Sequence, residues 1–128
     1  MWIENYSNLR VGFTPLITFK NATHLHEVVR RIPLNKILLE TDSPYFVPRQ
    51  LSGSSRSIDF SHPGLIIHAA AQVAKLKNVT IEDVVNAHKR SLFDVYNIPA
   101  VIGVAIEAYD ITCRKEEKAF DKIISGID

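Results

Sequence analysis

One string limits what this chain can fold into more than any other: Pro33-Leu34-Asn35-Lys36-Ile37-Leu38-Leu39-Glu40-Thr41-Asp42-Ser43-Pro44. Its unbroken apolar run, set before an acidic and turn-forming run, reads as a short strand buried on both faces. Upstream, Leu9, Val11 and Phe13 alternate with Arg10, Gly12 and Thr14. That is the period-two pattern of a strand, which the apolar Leu16 and Ile17 allow to run on past Pro15. Between the two, Leu25, Val28, Val29 and Ile32 recur at helical offsets, with Asn21 or Thr23 as cap, Arg30 and Arg31 at the negative end, and Pro33 as stop. Strand, helix and buried strand make a βαβ unit, so the prediction is an α/β fold with a parallel sheet.

Residues 43–63 shift in composition, with Pro44, Pro48, Pro63, Gly53 and a run of serines. A loop of about twenty residues inside a compact domain is usually functional or disordered. Pro63 suits the first position of a helix capped by Ser61 or His62, with Leu65, Ala69, Val73 and Leu76 on one face and Asn78 at its end. Thr80 and Asp83 approximate a capping box, and Val84, Val85, His88, Leu92 and Val95 give the apolar side of a further helix. Residues 98–128 form an extension that reads as partly helical, because Phe120, Ile123, Ile124 and Ile127 fall at helical spacing.

Fifteen Lys and Arg against fourteen Asp and Glu give a net charge of +1. That is too little to hold nucleic acid by a general basic field, so any such contact must be local. The longest apolar stretch, 98–106, is interrupted by Pro99 and Gly103, whereas a membrane helix needs about twenty residues, so no membrane partner is expected. Residues 1–8 carry neither a basic region nor an apolar core of a secretory leader. Cys113 is the single cysteine, so neither an internal disulfide nor a disulfide-linked partner is expected. An intracellular location, cytoplasmic or nuclear, fits these features.

Asp42 follows the buried strand at its C-terminal end. In parallel α/β barrels that end faces the active site, where a carboxylate can bind a hard cation or orient a water. The plain alternative is that Asp42 caps the turn begun by Ser43-Pro44.

With these residues in view, the chain resembles the C-terminal part of the TatD-related metal-dependent deoxyribonucleases, closest to the subgroup found in animals. The resemblance rests on Val11-Gly12-Phe13-Thr14 through Phe19-Lys20-Asn21-Ala22, on Ile32-Pro33-Leu34 through Glu40-Thr41-Asp42-Ser43-Pro44-Tyr45-Phe46 with Pro48, on His62-Pro63-Gly64-Leu65, and on two closing helices ending at Leu92-Phe93. It implies a partial TIM (β/α)8 barrel over residues 1–97, comprising the last two βα units and the closing helices, with 98–128 outside the match.

The resemblance also implies a divalent metal, magnesium, manganese or zinc. The family builds that site from a His-x-His pair, a Glu, two further His and the Asp of Glu-Thr-Asp. Asp42 is the counterpart of that Asp, as metal ligand and catalytic group, while Glu40 is expected to support the strand end by hydrogen bonding. Two departures stand out: the family's Asn-x-Pro is Ser61-His62-Pro63 here, and the Asn of its last helix aligns with His88. Both positions are expected to fix backbone geometry.

His24-Leu25-His26 imitates the missing pair, but on a helix such side chains diverge by about 200° and cannot share an ion. Arg49 and Arg56, near Tyr45 and Phe46, could meet a phosphate or stack on a base, or be ordinary loop charges. His62 could reach substrate or cap the helix at Pro63. His88 falls on an apolar helix side, where a satisfied buried histidine is the expectation, and Cys113 has no partner for nucleophilic chemistry.

A complete barrel takes about 250 residues, so the expected function is that of a portion of a nuclease cutting phosphodiester bonds, in DNA in preference to RNA. The isolated chain is expected to be inactive or nearly so. The alternative is a non-catalytic remnant that acts as a protein-interaction module.

Overall fold

Val11–Phe13 (β1) and Ile37–Leu39 (β2) pair in parallel, with Val11 opposite Ile37, Gly12 opposite Leu38 and Phe13 opposite Leu39. A short helix, Trp2–Asn5 (α1), precedes them. The computed structural model describes residues 2–52 and 58–97; Arg56, Cys113 and the 98–128 extension lie outside the described residues.

β1 stops sooner than its apolar pattern allows. Pro15 cannot donate to a ladder, and its fixed φ suits the first position of a helical turn. Thr14 Oγ1 accepts from the Leu16 N–H at 3.3 Å, and Pro15–Thr18 becomes a 3-10 turn. Leu16 and Ile17 are therefore not strand residues; the turn carries Ile17 fully into the core.

The crossover helix is Thr23–Arg31 (α2), but neither Asn21 nor Thr23 caps it. Ala22 holds the N-cap position without a side-chain bond. Its buried side is Val29 and Ile32, with Leu25 half-buried and Val28 exposed. The carbonyls left over at its C-terminal end are met from elsewhere, for Lys77 Nζ donates to Ile32 O at 2.6 Å, Arg30 O at 3.1 Å and Val29 O at 3.2 Å.

β2 buries only one face completely among the described residues. Ile37 and Leu39 join Phe13, Ile17, Val29, Ala69, Val73 and Val84 in the core. Leu38, pointing the other way, is half-buried. A two-stranded sheet covered by helices on one side cannot seal both.

The helix expected at Pro63 opens as a 3-10 turn, Pro63–Leu65, and becomes Ile66–Lys77 (α3). His62 precedes it without a side-chain bond, and Ser61 Oγ is buried with no partner among the described residues, so neither side chain caps it. The face of α3 toward the core is small, with Ala69, Ala70, Val73 and Ala74 buried, which lets the helix lie close on the Pro15–Thr18 turn, α2 and β2. Asn78, at φ 55°, closes α3 in the left-handed conformation, and the Val79 N–H returns to Ala74 O at 3.1 Å.

Ile81–Tyr96 (α4) follows. The Thr80–Asp83 box is present: the Asp83 N–H donates to Thr80 Oγ1 and the Thr80 N–H to Asp83 Oδ2, both at 3.0 Å. The Thr80 hydroxyl, which donates to Asp83 Oδ2 at 2.6 Å, and after it the Thr80 N–H hold the Asp83 carboxyl below its ordinary value. The buried side of α4 is Val84, Ala87 and Ser91 rather than a stripe reaching Val95, which is exposed. Ser91 Oγ donates to Asn35 O at 3.0 Å, tying α4 to the 3-10 turn Leu34–Lys36 that enters β2. None of the described helices is long and apolar enough to cross a membrane.

Candidate metal-ligand end of strand β2

The Glu40 N–H donates to Phe13 O at 3.0 Å, so the parallel pairing continues one residue past β2. The chain then turns out of the sheet. Asp42 O accepts from the Tyr45 N–H at 2.8 Å, the Ser43–Pro44 peptide is cis, and Phe46 sits at φ 54°. Farther along, Pro48 is fully buried, and the Arg49 N–H donates to Thr18 Oγ1 at 2.8 Å. The end of the long loop is fixed as well, since the Ser61 N–H donates to Pro44 O at 2.9 Å.

Glu40 and Asp42 are both exposed, and neither side chain makes a hydrogen bond or ion pair with the described residues. The hydrogen bond that Glu40 makes at this strand end is that of its backbone N–H. The carboxylate instead lies over Gly12, where an added Cβ would overlap Glu40 Cδ and Oε1. Asp42 takes part in the turn only through its carbonyl, so its carboxylate is not a turn cap.

The strand end is braced by a residue from α4. The Leu39 N–H points to the edge of β2 not used by β1 and donates to His88 Nδ1 at 3.1 Å. To accept there, the imidazole must be neutral with its hydrogen on Nε2. Burial lowers the pKa of His88 below the ordinary 6.5 and does the same to His68, on α3.

The other sequence candidates are dispersed. Arg49 is exposed and donates through a guanidinium nitrogen to Ser52 O at 3.2 Å; His62 is exposed beside Gly64. No hydrogen bond or ion pair joins either to Asp42. His24 and His26 lie in α2, and the His26 ring donates from Nε2 to Ile17 O at 2.7 Å. Phe60, 72% exposed, and Tyr45, 70% exposed, flank the Pro44–Ser61 contact. Phe60 had no motif to mark it; only the Pro44–Ser61 bond brings it to this turn.

A hard divalent cation takes six or more oxygen ligands, some supplied by water. Among the described residues no three His, Cys, Asp or Glu side chains converge to hold a metal ion. The donors here therefore do not complete a centre, and at most the carboxylates at this strand end contribute to one.

Comparison with known proteins agrees with this partial geometry. The chain is 33% identical over 96 residues to the human 3'-5' RNA nuclease TATDN2, covering 75% of this chain and 12% of that protein. It is 30% identical over 90 residues to the metal-dependent hydrolase YcfH of Escherichia coli K12, covering 70% of this chain and 32% of that one. The chain thus spans a third or less of the length of these relatives. The crystal structure of YJJV, a TatD homologue from Escherichia coli K12, superposes with a TM-score of 0.59 at 22% identity over 70% of this chain and 33% of that one, which speaks to the fold. A family model described as TatD related DNase matches residues 2–97. By that match, which covers most of its length, the chain belongs to the TatD-related DNase family.

Proposed function

We propose that residues 1–97 are the last two βα units and closing helices of a TatD-type barrel, with 98–128 an extension to it. The complete protein, in this reading, is a metal-dependent hydrolase that cleaves phosphodiester bonds in nucleic acid, DNA in preference to RNA, at an intracellular location. Asp42 supplies one ligand to a divalent metal, and the remaining ligands come from barrel strands outside the described residues. The chain alone is then inactive or nearly so. The observation that carries the reading is the Asp42 carboxylate, unpaired among the described residues, at the C-terminal end of a parallel strand, the end from which barrel enzymes draw their catalytic groups. Exposed Tyr45 and Phe60 beside that end offer ring faces on which a base can stack.

The test joins this chain to the strands of YcfH that its match leaves out. Cleavage of single-stranded DNA and RNA is then assayed with magnesium, manganese or zinc. Asp42→Asn should slow cutting by more than the roughly 10–100-fold typical of groups that merely support a metal ligand. Equal rates for Asp42→Asn and the parent would remove Asp42 from the site.

A further inference from the structure

A cleft of about 460 Å³ has Thr18, Lys20, His26, Arg49, Gln72 and Lys75 among its lining residues. Its volume is within the range of about 300–1,000 Å³ of small-ligand pockets. Four parts of the fold build it: the segment after β1, helix α2, the 3-10 turn Arg49–Leu51, and helix α3.

Its charge is one-sided. Lys20, Arg49 and Lys75 line it, and no Asp or Glu among the described residues does, although acids and bases nearly balance over the whole chain. Lys20 and Lys75 are exposed and make no hydrogen bond or ion pair with the described residues. Three cations brought together without a counter-charge repel one another, a cost that an anion between them reverses.

The walls are held in place by bonds that spare these cations. Thr18 Oγ1 donates to Pro15 O at 2.7 Å and accepts the Arg49 N–H, while the His26 ring bonds Ile17 O. Arg49 spends one guanidinium nitrogen on Ser52 O and keeps further N–H donors. A cationic fork, two ammonium groups and the Gln72 amide match the oxygens of a phosphate. Because the cation-bearing residues are exposed, the cleft suits a phosphate carried on a chain crossing the surface.

We propose that this cleft binds the phosphodiester backbone of a single-stranded nucleic acid. The proposal rests on the nucleic-acid reading above for the carrier of the phosphate, and on the cleft's own chemistry for the phosphate itself.

Binding of a fluorescein-labelled single-stranded oligonucleotide to the full 128-residue chain, in EDTA and across a salt series, tests it without any cutting step. Each phosphate contact with a single strand contributes about 0.7 to the slope of log affinity against log salt. The double variant Lys20→Gln/Lys75→Gln should therefore flatten the slope by about 1.4, with its circular dichroism spectrum unchanged. Gln72→Glu, which places a carboxylate in the cleft, should weaken binding too. A double variant with the parent's slope overturns the proposal and leaves the function of Asp42 standing. In a second arm, inorganic phosphate is titrated while the amides of Lys20, Arg49 and Gln72 are followed by NMR. If phosphate shifts them but the oligonucleotide slope is insensitive to the lysines, the occupant is free phosphate and the backbone assignment fails. If phosphate shifts them and the parent binds no oligonucleotide, the nucleic-acid carrier fails with it.

Discussion

His88 offers the sharpest test of how the carboxylate-bearing strand end is held. Its Nδ1 is the acceptor for the Leu39 N–H, one residue before Glu40. In His88→Leu that backbone donor loses its partner at a largely buried edge, and leaving such a group unpaired costs about 1–3 kcal/mol. Urea unfolding of the 128-residue chain at pH 7.5 should show that loss. His88→Asn should behave differently, because the Asn amide oxygen stands the same number of bonds from Cα as the His Nδ1. It can accept the same N–H, so that variant should keep most of the stability. The pH dependence gives an independent reading. Burial lowers the pKa of His88 in the folded chain below its unfolded value of 6.5. Below pH 6.5 the unfolded chain therefore binds more protons than the folded one, and stability falls as the pH drops toward the folded pKa. Above 6.5 this contribution is fully present. The gap between the parent and His88→Leu should narrow on acidification, and His88→Asn should lose the part of the acid sensitivity that His88 supplies, leaving that of His68. A His88→Leu chain as stable as the parent at pH 7.5, or a gap that ignores pH, would refute the edge-bond argument.

Three further outcomes follow from the packing. Lys77→Met removes an ammonium shared by three carbonyls at the end of α2 and should cost about 1–3 kcal/mol in urea unfolding. Ile17→Ala empties a fully buried position in the Pro15–Thr18 turn and should cost about 2–5 kcal/mol, read in the same assay. Asp42→Asn, at an exposed carboxylate with no partner among the described residues, should leave stability within about 0.5 kcal/mol of the parent, so that any loss of activity in the joined enzyme is chemical.

The parts of the fold legible in the sequence are those written in strong periodic apolar residues. Val11–Phe13, Thr23–Arg31 and Ile37–Leu39 form the parallel unit that their patterns predict. What failed was local. Leu16 and Ile17 look like strand because they are apolar, but Pro15 and Thr14 decide the backbone there. The buried side of α4 rests on Ala87 and Ser91, residues too small or too polar to mark a stripe, so the pattern points instead to Val95. At the site, Asp42 stood out because a buried strand runs straight into it. The bond from Leu39 to His88 spans 49 residues, and the one joining Arg49 to Thr18 spans 31. Such pairings carry no local signal, and the cationic cleft, assembled from four separate segments, carries none either.

Gly12 and Glu40 show how a backbone requirement and a candidate functional group are joined. Side chains alternate along a strand, so Glu40, two residues beyond Leu38, lies on the side of the sheet where Gly12 faces Leu38. The missing Cβ of Gly12 is what lets the Glu40 carboxylate fold across β1. In Gly12→Ala, the new methyl must displace it. The displaced group is the end of a flexible, exposed side chain, and alanine is better than glycine within a strand by about 0.5–1 kcal/mol. Melting of the variant should therefore stay close to the parent or rise slightly. If the position of Glu40 matters to the chemistry at Asp42, Gly12→Ala in the joined enzyme should lower the cutting rate by about as much as Glu40→Gln, and the double variant should be no worse than either. If Gly12→Ala cuts at the parent's rate while Glu40→Gln does not, the carboxylate acts from a place other than the one over Gly12. If both cut at the parent's rate, Glu40 serves the strand only through its backbone N–H.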